Sequence, residues 1–326
     1  MTNSVRVLVT GSSGQIGSEL SIELARKFGT ENVITTDIRA PSSQREPNFT
    51  QKNFRYLDVT DKESIERLLK EEDIAIIFHL AGILSATGET FPERTWLVNT
   101  GGLRNVLEAS VKVRTGTAKI FWPSSIAVFG PSAPKRNTPQ DSCLEPTTMY
   151  GITKVAGELL CNYYHSRYGL DARSIRFPGI ISSDTLPGGG TTDYAVEIFH
   201  EALRSGKYTC FVRRDTVLPL LYMPDCIRAT IDLMDADPSK IKIRTSYNLG
   251  GLTFSAGDLA NEIDKYVKGF QIEYRPDSRQ RIADSWPISI DDSTAQRDWG
   301  WKPTYDMSMM TKEMIQKLSG KVVRRA

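Results

Sequence analysis

Gly11, Gly14 and Gly17 stand between a short run of β-branched and apolar residues, Val5 to Thr10, and an apolar-periodic stretch from about Ile16 to Phe28. Strand, glycine turn and helix in that order leave few folds open to the chain. The glycines allow a sharp turn and let the backbone approach a pyrophosphate, and the helix N-terminus adds unpaired N–H groups and a partial positive charge. Gly29 stops the helix, and Val33 to Asp37 reads as the next strand, which completes one βαβ unit. Asp37 closes that strand twenty residues past Gly17. A carboxylate there accepts hydrogen bonds from the adenosine ribose and repels a 2′-phosphate, so the pattern predicts NAD rather than NADP. Arg39, two residues on, reads as a solvated loop charge.

The alternation continues. Pro41 to Asn48 is a polar loop, and Phe54 to Asp58 is a third strand. Thr60 and Glu63 have the spacing of a capping box for a helix running to about Glu71. Ile74 to Leu80 is nearly all apolar, as a central parallel strand covered on both faces should be. A helix is predicted over Thr95 to Val113, a strand over Lys119 to Pro123, a long helix over Thr148 to Tyr168, ended by Gly169, and a strand over Ala172 to Phe177. Strands alternating with helices predict an α/β fold, a doubly wound parallel sheet of the Rossmann kind. The pattern weakens after Pro178, and Pro187-Gly188-Gly189-Gly190 reads as a flexible stretch. Residues 1–180 are therefore expected to form the dinucleotide-binding domain, with about 215–250 returning to it, and 181–326 a smaller, mixed substrate lobe.

Composition closes other routes. Lys plus Arg is 41 against 39 for Asp plus Glu, a net charge of +2, which leaves no footprint for nucleic acid. The longest apolar stretch, Ile74 to Leu84, contains His79 and is far short of the roughly 20 residues needed to span a bilayer, so no membrane partner is expected. Cys143, Cys161, Cys210 and Cys226 form no CxxC pair, and His79, His165 and His200 do not cluster with them, so neither a metal site nor a disulfide scaffold is expected. Scattered thiols and the absence of a signal or Arg-rich segment before Val5 fit the cytoplasm, or an organellar matrix had a transit peptide been removed.

Tyr150 and Lys154 lie i, i+4 on a predicted helix, and Tyr150 is the single tyrosine of twelve with a lysine four residues on. Ser124 and Ser125 close the preceding strand, at the carboxyl edge where doubly wound sheets bind ligands. A free tyrosine, with a pKa near 10, is a poor base at neutral pH. A neighbouring ammonium favours its phenolate, and a serine hydroxyl can orient a substrate oxygen and stabilise a developing alkoxide.

Together, Gly11 to Gly17, Asp37, Asp58-Val59, His79-Leu80-Ala81-Gly82, Asn99-Thr-Gly-Gly, Ser125 and Tyr150-x-x-x-Lys154 resemble an extended short-chain dehydrogenase/reductase, as do Leu103 to Ala109 and Asp298 to Pro303. The resemblance spans nearly the whole chain. It implies an NAD site built from Gly11, Gly14, Gln15, Ile16, Gly17 and Asp37, with Asp58 and Val59 flanking the adenine, and Leu80 and Ala81 beside ribose and pyrophosphate. Asn99 should sit behind the nicotinamide half, Pro178 to Ile180 near the carboxamide, and Lys154 on the nicotinamide ribose. It implies Ser125, Tyr150 and Lys154 as the catalytic residues, and a homodimer packed through the Thr95–Val113 and Thr148–Tyr168 helices.

Within that family, most members act on nucleotide sugars. Here no acid follows Ser125, as dehydratases require, and no asparagine follows Arg176-Phe-Pro-Gly, where nucleotide-sugar enzymes hold the diphosphate. Leu186 to Ala195, Pro123 to Gly130, Arg176 to Ser182 and Asp284-Ser-Trp-Pro287 closely resemble the short-chain branch that oxidises the C3 hydroxyl of L-threonine with NAD. That likeness implies substrate contacts from Ser85, Ser125, Tyr150, Thr192 and Trp286 and 2-amino-3-oxobutanoate as product, and backbone N–H groups in the glycine loop and around Ser85 are the candidates for the substrate carboxylate. Each feature also has a plain structural reading: the triple glycine as a loop, Ser85 as a loop cap, Trp286 as a core aromatic, Asp193 and Asp291-Asp292 as helix caps. The alternatives in function are a nucleotide-sugar 4-epimerase, which would hold NAD without net release of NADH, and a non-catalytic NAD-sensing member, which would not need the Tyr/Lys pair.

Overall fold

Val7–Thr10 (β1) is buried at all four positions, and its side chains alternate between two apolar layers. Val7 and Val9 pack with Leu20, Leu24 and Cys226, whereas Leu8 packs with Ile34, Ile65 and Val106 on the opposite face. A strand with two dry faces belongs at the centre of a sheet covered by helices on both sides. The computed structural model describes residues 5–41, 53–114, 118–186 and 188–323, and has that architecture. Apart from Pro41, the expected Pro41–Asn48 loop lies outside the described residues.

The strands following β1 are β2 (Val33–Asp37), β3 (Phe54–Tyr56), β4 (Ile76–His79), β5 (Lys119–Ser125), β6 (Asp171–Phe177), β7 (Gly179–Ile181), β8 (Lys207–Cys210), β9 (Val217–Tyr222), β10 (Tyr247–Asn248), β11 (Leu252–Ser255) and β12 (Gln271–Tyr274). Seven of them form one sheet in the order β10-β6-β5-β4-β1-β2-β3, and every pairing in it is parallel. A mixed sheet, β11-β9-β7, and a two-stranded one, β12-β8, lie beside it. A third apolar cluster joins Ile126, Val128 and Phe129, just past β5, to Tyr194, Phe199, Leu220, Phe254 and Trp286 from the part of the chain after β7.

The helices that position the site are α1 (Gln15–Phe28), α2 (Lys62–Glu71), α3 (Ser85–Thr90), α4 (Pro92–Trp96), α5 (Gly102–Arg114), α6 (Met149–Tyr168), α7 (Tyr194–Ser205) and α8 (Met223–Asp235). Three local expectations change. The cap of α2 is Asp61, whose side chain accepts the Ser64 N–H at 3.1 Å. Thr60 does not cap: its N–H and its hydroxyl both turn back to the Asp58 carboxylate, at 2.9 and 2.8 Å, and the Asp61 carboxylate takes the helix N–H instead. The helix expected from Thr95 begins instead at Pro92, which suits a first helical turn because its missing N–H is not needed there. It then runs through a π-helical turn, Leu97–Gly101, before α5.

Arg173 joins α8 to the sheet. Its guanidinium, wholly buried, donates to the carbonyls of Leu233 (2.6 Å) and Ala236 (2.7 Å), and Lys119 adds a bond to Met234 O at 2.8 Å. Two cations at a helix C-terminus satisfy its orphan carbonyls and complement its dipole. Helix α6 lies against β5 through Gly157, where an added Cβ would come within 2.2 Å of the buried Trp122 ring. Gly157→Ala is therefore expected to destabilise the fold by about 1–3 kcal/mol through overpacking, read as a lower urea midpoint with an unchanged slope.

Candidate active site

Strand order reverses across β1 and β4, and a doubly wound sheet opens a crevice at such a point, beyond the carboxyl ends of its strands. The glycine turn leaves β1 there. Gly11 has φ +69°, and a Cβ on it would stand 2.6 Å from the Ala81 nitrogen, while a Cβ on Gly17 would stand 2.2 Å from the Gly11 carbonyl oxygen. The N-terminus of α1 opens into this cradle with Gly14 at its N-cap, no side-chain cap and no acidic residue in its first turn. Its orphan N–H groups and its dipole suit a bound anion. Asp37 ends β2 beside the turn, buried, its two oxygens accepting the Ser13 and Arg39 N–H groups at 3.0 Å each. The Arg39 side chain is exposed, with its Nε 3.9 Å from the carboxylate.

The other residues expected around a dinucleotide take distinct positions. Leu80 and Ala81 follow β4 directly under Gly11. Asp58 is exposed and Val59 buried. Gln15 reaches the Ile180 carbonyl at 3.5 Å, which draws Pro178 and Ile180 toward the first turn of α1, and Ile16 packs into the core beneath. Asn99 sits in the π-helical turn, with its amide spent on the protein: Oδ1 accepts the Ile83 N–H at 2.7 Å, and Nδ2 donates to Ile83 O and Thr153 Oγ1. Asn99 thus holds the chain leaving β4 and ties it to α6. His79, wholly buried, meets Thr10 Oγ1 at 2.7 Å, and burial with the nearby Lys154 pushes it down to about 3, so the ring is neutral.

Ser125 ends β5, and Thr148 caps α6 so that Tyr150 and Lys154 emerge from its first turns facing the strand end. Lys154 is buried; its Nζ donates to Pro123 O at 2.6 Å and lies 4.6 Å from the Trp122 ring centroid and 5.3 Å from that of Tyr150. Burial lowers the ammonium to about 7, countered by Cys161 and Glu158. The expectation that this lysine lowers the Tyr150 phenol needs correction for the protein alone. Desolvation dominates and raises the phenol above its ordinary range, a hydrogen bond with Ser125 pulls it back, and the ring keeps part of its surface on the cleft.

Helix α3 and the glycine loop cover the cleft. The buried Ser85 hydroxyl meets Thr191 Oγ1 at 3.2 Å, and Ala86 N–H donates to Gly189 O. It is Thr191 whose hydroxyl faces Ser85; Thr192 turns its methyl group toward Gly179. Asp193 stands at the N-cap position of α7 but makes no capping bond. Its carboxylate instead accepts the N–H groups of Gly189 (2.9 Å) and Gly190 (2.8 Å), so those groups are not free to hold a substrate carboxylate as the sequence suggested. Gly88 of α3 packs close to the Tyr150 Cβ, and Glu89 accepts the Met149 N–H at the start of α6. Trp286 is buried in the third cluster, with its carbonyl taken by Lys135. Asp292 holds the N-cap position of the helix Ser293–Trp299, but its carboxylate binds Gly250 N–H and the Trp301 indole instead of the helix N-terminus.

A family model described as "NAD dependent epimerase/dehydratase family" matches residues 7–250. The chain belongs to that family. An uncharacterized epimerase/dehydratase of Staphylococcus haemolyticus is 45% identical over 317 residues, covering 97% of this chain and 98% of the relative. Among solved structures, the GalE-like L-threonine dehydrogenase of Cupriavidus necator (holo form) is 48% identical, with a TM-score of 0.91 over 96% of this chain and 99% of that one. A monomeric L-threonine 3-dehydrogenase from a metagenome is 49% identical, with a TM-score of 0.92 over 97% and 99%.

The family's cofactor is NAD, and the glycine cradle, the uncapped α1 terminus and the buried Asp37 fit it. Among the described residues no cluster of His, Cys, Asp or Glu could hold a metal ion, and no helix is long and apolar enough to cross a membrane. Sequence reasoning missed Thr191, Glu89 and the loop-holding role of Asp193. The last carried a signal, since an acid three residues beyond a glycine can bond back to its N–H. Gly17→Ala should raise the dissociation constant for NADH, read by quenching or enhancement of its fluorescence, by about tenfold or more, that is at least about 1.4 kcal/mol.

Proposed function

We propose that this chain oxidises the C3 hydroxyl of L-threonine to 2-amino-3-oxobutanoate with NAD. The observation that carries the reading is the meeting of Tyr150 with Ser125 beside the buried Lys154, next to a short helix and a glycine loop joined by the Ser85–Thr191 contact and held by the Asp193 carboxylate. Solved structures named as L-threonine dehydrogenases, at 48% and 49% identity over nearly the whole chain, support the same reading.

Tyr150, as phenolate, takes the C3 hydroxyl proton, and Ser125 donates a hydrogen bond to the same oxygen as charge develops on it. Lys154 Nζ lies 5.3 Å from the Tyr150 ring centroid, and in its charged form it works against the desolvation that opposes the phenolate. NAD, when bound, supplies the acceptor for the C3 hydride, so that the alcohol loses one proton and one hydride and becomes a ketone. Ser85, with Thr191 as its hydrogen-bond partner, is the proposed hydroxyl that orients the amino acid, and Thr192 and Trp286 are the further proposed contacts. Asp37, Asp58, Val59, Leu80, Ala81, Pro178, Ile180 and the Gly11–Gly17 turn are the proposed walls of the dinucleotide site. Residues 1–180, joined by about 215–250, make the NAD-binding unit, and 181–326 the smaller substrate-binding lobe.

A homodimer is the proposed assembly. Ile152, Leu159 and Tyr163 are exposed at i, i+7 and i+11 on one stripe of α6, with Trp96 and Leu97 exposed on the adjoining helical segment. A second copy presenting the same stripe would cover it symmetrically. Sedimentation should give twice the monomer mass for the native chain and monomer mass for Leu159→Glu; a monomeric native chain, like the metagenomic relative, overturns the assembly.

NADH absorbance on mixing the protein with NAD and L-threonine tests the activity directly, with L-allo-threonine, L-serine and NADP as controls. A steady rise confined to L-threonine and NAD is expected, and Tyr150→Phe should cut it by about 10²–10⁴-fold while NADH binding stays native. Silence with every amino acid, together with stabilisation by a UDP-sugar, would return the chain to the nucleotide-sugar members. Asp193→Asn should raise KM for threonine several-fold, because an amide oxygen holds the two glycine N–H groups less tightly than a carboxylate.

A further inference from the structure

Helix α6 presents a third polar residue to the sheet after Tyr150 and Lys154. Glu158, one turn further on, is wholly buried. Its Oε1 accepts the Ser124 hydroxyl at 2.6 Å and Arg176 Nε at 2.9 Å, and its Oε2 accepts Arg176 Nη2 at 2.8 Å. Ser124 precedes Ser125 in β5 and is the register partner of Arg176 in β6. Lys154 and Glu158 thus staple α6 to consecutive residues of one strand end, Pro123 and Ser124. The other arm of the guanidinium donates to Gln140 O (2.9 Å) and Asn248 Oδ1 (3.0 Å). Asn248 in turn donates to Thr138 O and Asp291 O, where the segment after Ala133 pairs with the segment after Trp286. One hydrogen-bonded chain therefore runs from the Tyr150 helix to the seam of the substrate side.

We propose that Glu158 and Arg176 are a positioning pair for the reaction: they fix the rise of α6 along β5, and with it the spacing of Tyr150 and Lys154 from Ser125. The inference rests on the Ser–Tyr–Lys reading given above. A buried ion pair is a weak source of stability, because apolar residues of like volume replace it at little or no loss, whereas removing one partner leaves a costly unpaired charge. Stability alone would not require this pair. The strand register and the convergence on the residue beside Ser125 point to placement.

The decisive test separates stability from placement. Arg176→Met alone should lower both Tm and kcat. The double variant Glu158→Gln with Arg176→Met carries no unpaired charge and should recover Tm to near native. Its kcat for L-threonine should nevertheless stay about tenfold or more below native, with KM for NAD within about twofold, since a misplaced reacting group costs rate without cofactor affinity. A double variant with native kcat overturns the pair as positioning residues. Should the double variant fail to fold, Ser124→Ala decides, because it keeps the ion pair and removes one staple. A severalfold lower kcat at native Tm supports the inference, and native kcat overturns it.

No turnover of L-threonine by the native chain would sink the functional reading without touching the geometry. Placement is then read from the phenolate absorbance of Tyr150, taken as the difference between each protein and its Tyr150→Phe counterpart across pH. The ionisable groups around Tyr150 and Lys154 are Glu158 and Cys161 on α6, His79 on β4, Glu89 on α3 and Arg176 on β6. Ser124→Ala alters none of these charges, so a displaced titration in that variant reports a changed Ser125–Tyr150 contact and supports the inference. A titration identical to native overturns it.

Discussion

The bond from Lys154 Nζ to the Pro123 carbonyl is the contact on which the rest of the site depends. It forms only if α6 lies hard against the end of β5, and Gly157 permits that by leaving room for the Trp122 ring. The ammonium is buried there with one carbonyl and two aromatic faces as partners. That arrangement is costly: a desolvated ammonium is less stable as a cation, which is why it falls to about 7. The same cost gives the helix one low-energy position. Sliding α6 by even one residue would strand the lysine among apolar side chains, and Tyr150 would leave Ser125 at the same moment.

Around this fixed point the cover is assembled from short-range bonds between segments distant in sequence. Helix α3 is the hub. Ser85 reaches Thr191, Ala86 reaches Gly189, Glu89 reaches the start of α6, and Asn99 grips Ile83 just ahead of it. A six-residue helix has little stability of its own, since nucleation is unfavourable and propagation barely begins. Its order comes from these tertiary partners. A cover of this kind can give way in part while the sheet below stays intact, because the sheet owes its stability to apolar layers the cover does not touch.

The fold was legible wherever period and punctuation agreed. The βαβ unit at the start, the apolar central strand Ile74–Leu80, and the Thr148-capped helix ending at Gly169 all carry their own local signals, and the seven-stranded parallel sheet follows from them. Local reading failed where a polar side chain found partners other than the helix N-terminus. Thr60 looked like a cap until Asp58 claimed its hydroxyl, and Asp193 looked like a cap until two glycine N–H groups claimed its carboxylate. Helix α3 was invisible for the reason just given. Of the site, the glycine turn, Asp37 and the Ser–Tyr–Lys trio lie together at one edge of the sheet, as their spacing required. Glu158 stands one further turn along the Tyr–Lys helical face and Arg176 is one of two arginines in the strand Asp171–Phe177, and sequence reasoning gave the pair no role. Neither position names its partner, because that pairing is set by the β5–β6 register.

The cofactor cradle and the cover share one helix. The first turn of α1 opens on the anion site at Gly14, Gln15 of that turn reaches Ile180, and Glu19, one turn further, accepts the Ser182 hydroxyl at 2.5 Å. Ser182 Oγ in turn receives the N–H groups of Asp184 and Thr185, at the base of the segment that leads into the glycine loop. Helix α1 therefore carries the glycine cradle at its tip and the Ser182 contact on its flank. A helix packed in a dense interior compresses little, so the cradle at its tip and the Ser182 contact keep a fixed separation. The glycine cradle and the root of the glycine loop thus share one helix, an arrangement that a cradle built on an isolated loop would lack.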